Sequence, residues 1–252
     1  MVELEERGIV TILRMAAGKG NALNLDFCQA LDERLQKLER GPAKAVVLTG
    51  QENVFSAGVD LPALVSGGPD YVRRFVPVMV TGFERLVSFS KPLIAAVNGH
   101  AIAGGAILML ACDQRILARG KSRVGLTEIR VGVEFPSWAL EVARFFTPPE
   151  HLSTLILTGR TWPPEEALAR GLVDELADAD DLLERACAVA AELAAIPAAT
   201  YSATKKSLRQ PLVERARHLT ATLGPALVEK WCAPETLQAV ADFAARNIGR
   251  RA

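Results

Sequence analysis

Two stretches of this sequence combine residue types and spacings that can do chemistry. The first, His100-Ala-Ile-Ala-Gly-Gly-Ala-Ile-Leu-Met-Leu-Ala-Cys-Asp113, sets Gly104 and Gly105 between an apolar strand-like run, Pro92 to Val97, and an apolar segment, Ala106 to Ala111, with the composition of a buried helix. Glycine lets the backbone turn sharply and, lacking a Cβ, lets a ligand approach the peptide N–H groups. At a helix start those N–H groups have no internal partner and lie at the positive end of the macrodipole, so they can receive a developing negative charge. That is half of an oxyanion hole; a pair of glycines that only permits close helix packing is the other reading. The second stretch, Phe55-Ser-Ala-Gly-Val-Asp-Leu61, is another glycine-bearing turn directly after a strand-like run, Lys44 to Gly50. Two such turns can present two convergent backbone donors.

A proton carrier is the natural complement to an oxyanion hole. Glu128 lies between the apolar Leu126 and Ile129, just before Val131-Gly-Val133. Partial desolvation there raises a carboxyl pKa toward neutrality and suits it to general acid–base work, whereas a glutamate at an exposed loop edge would do nothing. His100, His151 and His218 have no mutual metal or triad spacing, and His100 reads as structural. Cys28, Cys112, Cys187 and Cys232 are scattered without CxxC or Cys/His spacing, as expected of reduced, buried cysteines in a cytoplasmic protein.

Ile9 to Met15 is short and β-branched and reads as a strand; Asp26 can cap a following helix in which Phe27, Leu31, Leu35 and Leu38 recur at helical spacing. Gly41-Pro42 stops it, and Ala43 to Thr49 is the next strand. Strand, helix and strand in alternation predict an α/β core with parallel pairing. Gly67-Gly68-Pro69 reads as a mobile loop, followed by a helix over Tyr71–Ser90 that buries Phe75, Val78, Met79, Phe83 and Leu86. Leu93–Val97 and Arg115–Ala118 are further strands, and from Pro148 onward the chain reads as helical. Leu208, Leu212, Ala216, Leu219, Leu223 and Leu227 form an apolar face too broad for one helical tail to bury, so an oligomer is expected.

The 252 residues are half hydrophobic and can bury a substantial core. With 29 basic and 29 acidic residues there is no charge surplus directed at nucleic acid or at an anionic membrane. The acidic start, Met1-Val-Glu-Leu-Glu-Glu, lacks an apolar signal core, and no run reaches the roughly 18 apolar residues of a membrane span, so a soluble, unsecreted protein is expected.

Taken in order, Asn21-Ala-Leu-Asn24, the FSAGVDL turn, Lys91-Pro-Leu-Ile-Ala-Ala-Val-Asn-Gly99, Ala103-Gly-Gly105, Cys112-Asp113, Glu165-Glu-Ala-Leu168 and Gly171-Leu-Val-Asp174 resemble the crotonase, or enoyl-CoA hydratase/isomerase, superfamily over nearly the whole chain. The resemblance implies a right-handed spiral of ββα turns over residues 1–195 and a C-terminal helical region, 196–252, that builds a homotrimer or a hexamer of two trimers. It also implies an acyl-CoA thioester substrate and no metal or redox cofactor. Carried over residue by residue, it makes the N–H groups of Val59 and Gly104 the oxyanion donors and Glu128 the acid/base. Ala57, Gly58, Asp60, Leu61, Gly105 and Thr127 then surround the substrate. Lys205-Lys206 and Arg209 could meet CoA phosphates, or form a solvated helix face.

One departure from the hydratase pattern carries weight. Typical hydratases place a second glutamate three residues after the oxyanion glycine, where this sequence has Ile107. Hydration needs one carboxylate to activate water and another to protonate the α-carbon, whereas moving a double bond needs only one group. Around Glu128 and on through Val133-Glu-Phe-Pro-Ser-Trp138 the chain is most similar to mitochondrial-type Δ3,Δ2-enoyl-CoA isomerases, with Glu134 a reserve acid or a solvated loop charge. The expected activity is isomerisation of a 3-enoyl thioester to the 2-trans form, with hydration second and a non-catalytic acyl-CoA-binding trimeric scaffold as the alternative of another class.

Overall fold

The computed structural model describes residues 2–247, so the last five positions of the expected C-terminal region lie outside the described residues. The chain begins with a hairpin: β1 (Val2–Arg7) runs antiparallel to β2 (Val10–Met15). The sequence reading missed β1 because its charged residues look like a solvated leader. It is a mostly exposed edge strand, where charged side chains discourage pairing with other chains. A 3-10 turn at Lys19–Asn21 leads to α1 (Leu25–Arg40), whose apolar stripe, Phe27, Leu31, Leu35 and Leu38, is buried as the periodicity predicts. The cap is Asn24 rather than Asp26: Asn24 Oδ1 accepts from the Phe27 N–H at 2.9 Å, and Asp26 sits inside the first turn, where its charge complements the helix dipole.

From here each passage of the chain contributes a strand to a large sheet, a strand to a small sheet, and a helix. The first such turn is β3 (Ala45–Thr49), β4 (Val54–Ser56) and α2 (Leu61–Ser88); the second is β5 (Leu93–Val97), β6 (His100–Ile102) and α3 (Gly104–Leu110). The third is β7 (Gln114–Ala118), β8 (Val124–Gly125) and the short α4 (Glu128–Val131), followed by α5 (Ser137–Phe146) and α6 (Pro149–Thr158). The large sheet has the order β1-β2-β3-β5-β7-β10, parallel after the first pair; the small one is β4-β6-β8-β9, parallel through β8. Every residue of β3 and β5 is buried, as a parallel sheet covered on both faces requires.

The strands β9 (Thr161–Trp162) and β10 (Glu175–Ala177) correct the expectation that everything after Pro148 is helical; both are too short to leave a periodic signal. Between them lies α7 (Pro164–Ala169), and after them come α8 (Leu182–Ala194), α9 (Ala198–Cys232) and α10 (Pro234–Asn247). The expected mobile loop at Gly67–Pro69 is also corrected. Helix runs on either side of it, interrupted only at Gly68 (φ 60°, ψ −159°), a left-handed conformation that glycine adopts cheaply and that lets Pro69 start the second half.

The apolar face expected along α9 is divided. Leu212, Ala216 and Leu227 are buried against the chain's own α2 and α5, while Leu208 and Leu223 are 64% and 56% exposed. Successive steps of four residues drift by about 40° around a helix of 3.6 residues per turn, so a row drawn that way wraps from one face to the next.

Candidate active site

The three stretches singled out in the sequence leave the C-terminal ends of three adjacent parallel strands. Residues 57–60 follow β4, Ala103-Gly104 follows β6, and Thr127-Glu128 follows β8. Because parallel strands end at one edge of their sheet, residues some 70 positions apart in sequence meet there, as ligand sites in such sheets do.

Each loop is fixed by its neighbours. The Asn21 side chain, buried, donates to the Val54 and Phe55 carbonyls at 3.2 and 3.3 Å, and the Ser56 hydroxyl donates back to the Asn21 carbonyl at 2.8 Å. Leu23 bridges to the second loop: its N–H donates to Gly58 O at 2.8 Å and its carbonyl accepts from Asp60 N–H at 3.0 Å. In that parallel pairing the Val59 N–H is turned away from Leu23. Gly58 must be glycine, since φ is 84° and a Cβ would stand 2.7 Å from the Ile102 carbonyl and 3.1 Å from the Gly104 nitrogen. The two glycine turns are therefore in contact.

Gly105 is held as closely. A Cβ there would lie 2.3 Å from the Ser56 carbonyl, so Gly105 permits close packing, while Gly104 opens the helix with its N–H free. Among the described residues neither the Val59 nor the Gly104 N–H has a protein acceptor. Ala103, which caps α3, adopts φ 51° and ψ −126°, an unfavourable conformation for a residue with a Cβ that persists only where the surroundings impose it.

Glu128 opens α4 and is 7% exposed; its Oε2 is buried without a hydrogen-bond partner. Burial pushes its pKa from 4.5 up to about 7, against a smaller lowering pull from the Glu128 and Thr127 backbone N–H groups. Val59, Gly104 and Glu128 all line one cavity of about 810 Å³. Of the residues expected around a substrate, Ala57, Asp60, Leu61 and Thr127 also line it, while Gly58 and Gly105 lie beneath the walls as packing residues. Asp60 is committed to capping α2, accepting from the Ala63 N–H at 3.0 Å. His100 is at the wall too, its Nδ1 accepting from the Arg123 N–H at 3.1 Å.

Of the two readings of Glu134, the structure shows the solvated loop charge: it is absent from the cavity lining, exposed, and paired with Lys230 at 2.6 Å. One expectation is corrected. Lys205 and Arg209 are neither phosphate contacts nor a solvated face: both are buried and paired with Asp113 at 2.7 Å, and only Lys206 is exposed. A lone aspartate after an apolar helix, with two cations spaced i, i+4 further on, is the signal that could have found this cluster. Ile107 is fully buried in the apolar core.

The sequence reading missed the apolar walls. Leu64, Met79 and Phe83 from α2 and Val131 and Val133 around α4 line the cavity, and Trp231 and Phe243 reach it from α9 and α10. Their helical spacing marked several as core, and nothing local distinguishes a core face from a cavity face. Among the described residues no three His, Cys, Asp or Glu side chains gather as a metal cluster would, and no helix is long and apolar enough to cross a membrane.

The likeness to known proteins is extensive. The family model for enoyl-CoA hydratase/isomerase matches residues 5–236. The rat mitochondrial enoyl-CoA delta isomerase 1 is 30% identical over 213 residues, which is 83% of this chain and 74% of that protein. The crystal structure of human mitochondrial delta3-delta2-enoyl-CoA isomerase superposes with a TM-score of 0.92 at 26% identity, over 100% of this chain and 99% of that one. An enoyl-CoA hydratase from Mycobacterium marinum gives a TM-score of 0.79 at 30% identity, covering 86% of this chain and 95% of its own. The fold of alternating ββα turns thus has counterparts among proteins of both names, and the chain belongs to the enoyl-CoA hydratase/isomerase family.

Proposed function

We propose that the protein is a Δ3,Δ2-enoyl-CoA isomerase. The observation that carries this reading is the number of carboxylates: Glu128 has a buried, unpartnered oxygen, Asp60 is occupied as a helix cap, and Glu134 lies outside the cavity. Ile107, at the position of the hydratases' second glutamate, supplies no charge. One acid/base group suffices to move a proton along a carbon chain and is too few to activate water and protonate carbon together.

In this reading the ionised Glu128 removes a proton from C2 of a 3-enoyl thioester. The electron pair moves toward the thioester oxygen, which becomes an enolate and accepts hydrogen bonds from the Val59 and Gly104 N–H groups. The protonated Glu128 then returns the proton at C4, leaving the double bond between C2 and C3. Donors aimed at charge that develops only in the transition state contribute on the order of 100- to 1,000-fold each. Apolar walls such as Met79, Phe83 and Trp231 suit an acyl chain and keep the carboxyl desolvated. CoA belongs to the substrate, and no metal or redox group takes part. A scaffold that merely bound acyl-CoA would have no use for a buried carboxyl held near pKa 7.

Two assays on the wild type decide between the readings. Incubation with 3-enoyl-CoAs, followed by conjugation of the double bond, should show rapid turnover, and crotonyl-CoA should be hydrated slowly. Fast hydration without isomerisation would reverse the assignment, and tight binding without turnover of any enoyl-CoA would favour the scaffold.

A further inference from the structure

The seven-residue helix α3 has one end in the active site and the other in a buried cluster of charged side chains. At its C-terminal end Arg115 Nη1 donates to the Cys112 and Leu110 carbonyls at 3.3 and 3.5 Å. Arg209 reaches the same place from α9, and its Nη1 donates to the Ala111 carbonyl at 3.1 Å. The same Nη1 donates to the Val87 carbonyl in the last turn of α2 at 3.0 Å, and Nη2 donates to Asp113 Oδ1 at 2.7 Å. The guanidinium lies 4.9 Å from the Phe146 ring centre and is almost wholly buried. Lys205 completes the cluster by donating to Asp113 Oδ2 at 2.7 Å and the Lys91 carbonyl at 3.0 Å, and its ammonium makes no bond to α3.

The terminal carbonyls of a buried helix need donors, and an arginine brought in from another helix supplies them at the cost of desolvating a charge. The other end of α3 rests on the unfavourable conformation of Ala103. With about 1.5 Å per residue, α3 is about 10 Å long. A packed helix this short moves as one piece, so slack at Ala111 becomes displacement at Gly104. By the same measure α2 is about 40 Å long, and its break at Gly68 insulates Val59 from Val87.

We propose that Arg209 is a positioning residue for the oxyanion donor: by holding the C-terminal end of α3 it fixes where the Gly104 N–H points. The proposal rests on the reading of Gly104 as a donor to the thioester oxygen. It adds α9 to the elements that determine the rate.

The test compares full-length Arg209→Gln and Arg209→Lys with Lys205→Met, which disturbs the same Asp113 without touching an α3 carbonyl. Arg209→Gln should lower kcat for 3-enoyl-CoA isomerisation by roughly 10- to 100-fold, the scale of a sub-ångström to ångström misplacement, with KM within about threefold. Amide hydrogen exchange along α3 should quicken in parallel. Arg209→Lys should recover part of both effects, and it carries the test if the glutamine variant does not fold. Lys205→Met should lower the melting temperature yet leave kcat and α3 exchange near wild type. Unchanged α3 exchange in the Arg209 variants, or equal effects from Lys205→Met, would overturn the proposal. A wild type inactive on every enoyl-CoA would instead remove the enolate reading, and with it the catalytic half of this proposal; the exchange measurement would then report the clamp alone.

Discussion

Replacing Glu128 with glutamine should stabilise the protein while disabling it, and the stabilisation should depend on pH in a defined way. The glutamate carboxyl has an ordinary pKa of 4.5, and burial raises it to about 7. At about 1.36 kcal/mol per pH unit, that difference means that holding Glu128 ionised in the folded protein costs about 3 kcal/mol. The cost is fully present above pH 7, where both folded and unfolded chains are ionised. It shrinks as pH falls from 7 to 4.5, because the folded protein takes up a proton there that the unfolded chain does not. Below 4.5 both states are protonated and the cost vanishes. Glutamine never ionises, so its advantage over wild type should approach about 3 kcal/mol at pH 8 and fade toward zero near pH 4.5. All other carboxylates are common to both proteins and cancel in the difference. The assay is urea unfolding of the two proteins at pH 5, 6, 7 and 8, with the oligomeric state held fixed. A stability difference that stayed constant across that range would refute the burial argument. Isomerase activity should fall roughly 100-fold or more in the variant, since the amide cannot take a proton. The wild-type kcat/KM should rise with pH through about 7 as the base ionises.

The glycine pair offers a second comparison. Gly104→Ala keeps the N–H and needs only a few tenths of an ångström from the Leu23 side chain, Gly104→Pro removes the N–H, and Gly105→Ala drives a Cβ to 2.3 Å from the Ser56 carbonyl. Isomerase assays beside melting curves should therefore show a mild loss for the first, a loss of roughly 100-fold in a folded protein for the second, and gross destabilisation for the third. Glu134→Gln should change kcat by less than about twofold, because only an exposed ion pair with Lys230 is lost. Ile107→Glu places a carboxyl in a fully apolar site at a cost of several kcal/mol, so circular dichroism and denaturation should show destabilisation with little gain in crotonyl-CoA hydration. The exposed Leu208 and Leu223 on α9 should be covered in an oligomer, so sedimentation at micromolar concentration should give a multiple of 27.1 kDa, and Leu223→Glu should weaken the assembly.

Much of the candidate site could be read from the chain because it is built from local devices. A glycine pair opening a helix, a glycine turn after a strand and a glutamate among apolar residues each leave a signature within ten residues, and all three sit at one sheet edge. The fold class was legible for the same reason: the buried parallel strands are uninterrupted apolar runs. Long-range pairing was not legible. The i, i+4 spacing of Lys205 and Arg209 points to a shared anion, but nothing near them identifies it as Asp113, some 90 residues earlier, nor shows that Lys230 will hold Glu134 at the surface. The two-residue strands β8 and β9 are defined by their partners and carry no periodicity of their own. At Gly67-Gly68-Pro69 the residues favour a break, and they produce one within a single helix.

That break has a consequence for how the enzyme can change. Before Gly68 the helix follows the Val59 turn and carries the cavity walls Leu61 and Leu64; after it the helix carries the cavity walls Met79 and Phe83. Substitutions at Met79 that reshape the pocket therefore fall across the break from the Val59 turn, whereas Phe83 packs beside Gly104 and Leu61 and Leu64 share the short segment that follows Val59. Directed evolution toward new thioesters should accumulate tolerated changes at Met79 more readily than at Leu61 or Leu64, which lie on the Val59 side of the break, or at Phe83, which packs beside Gly104.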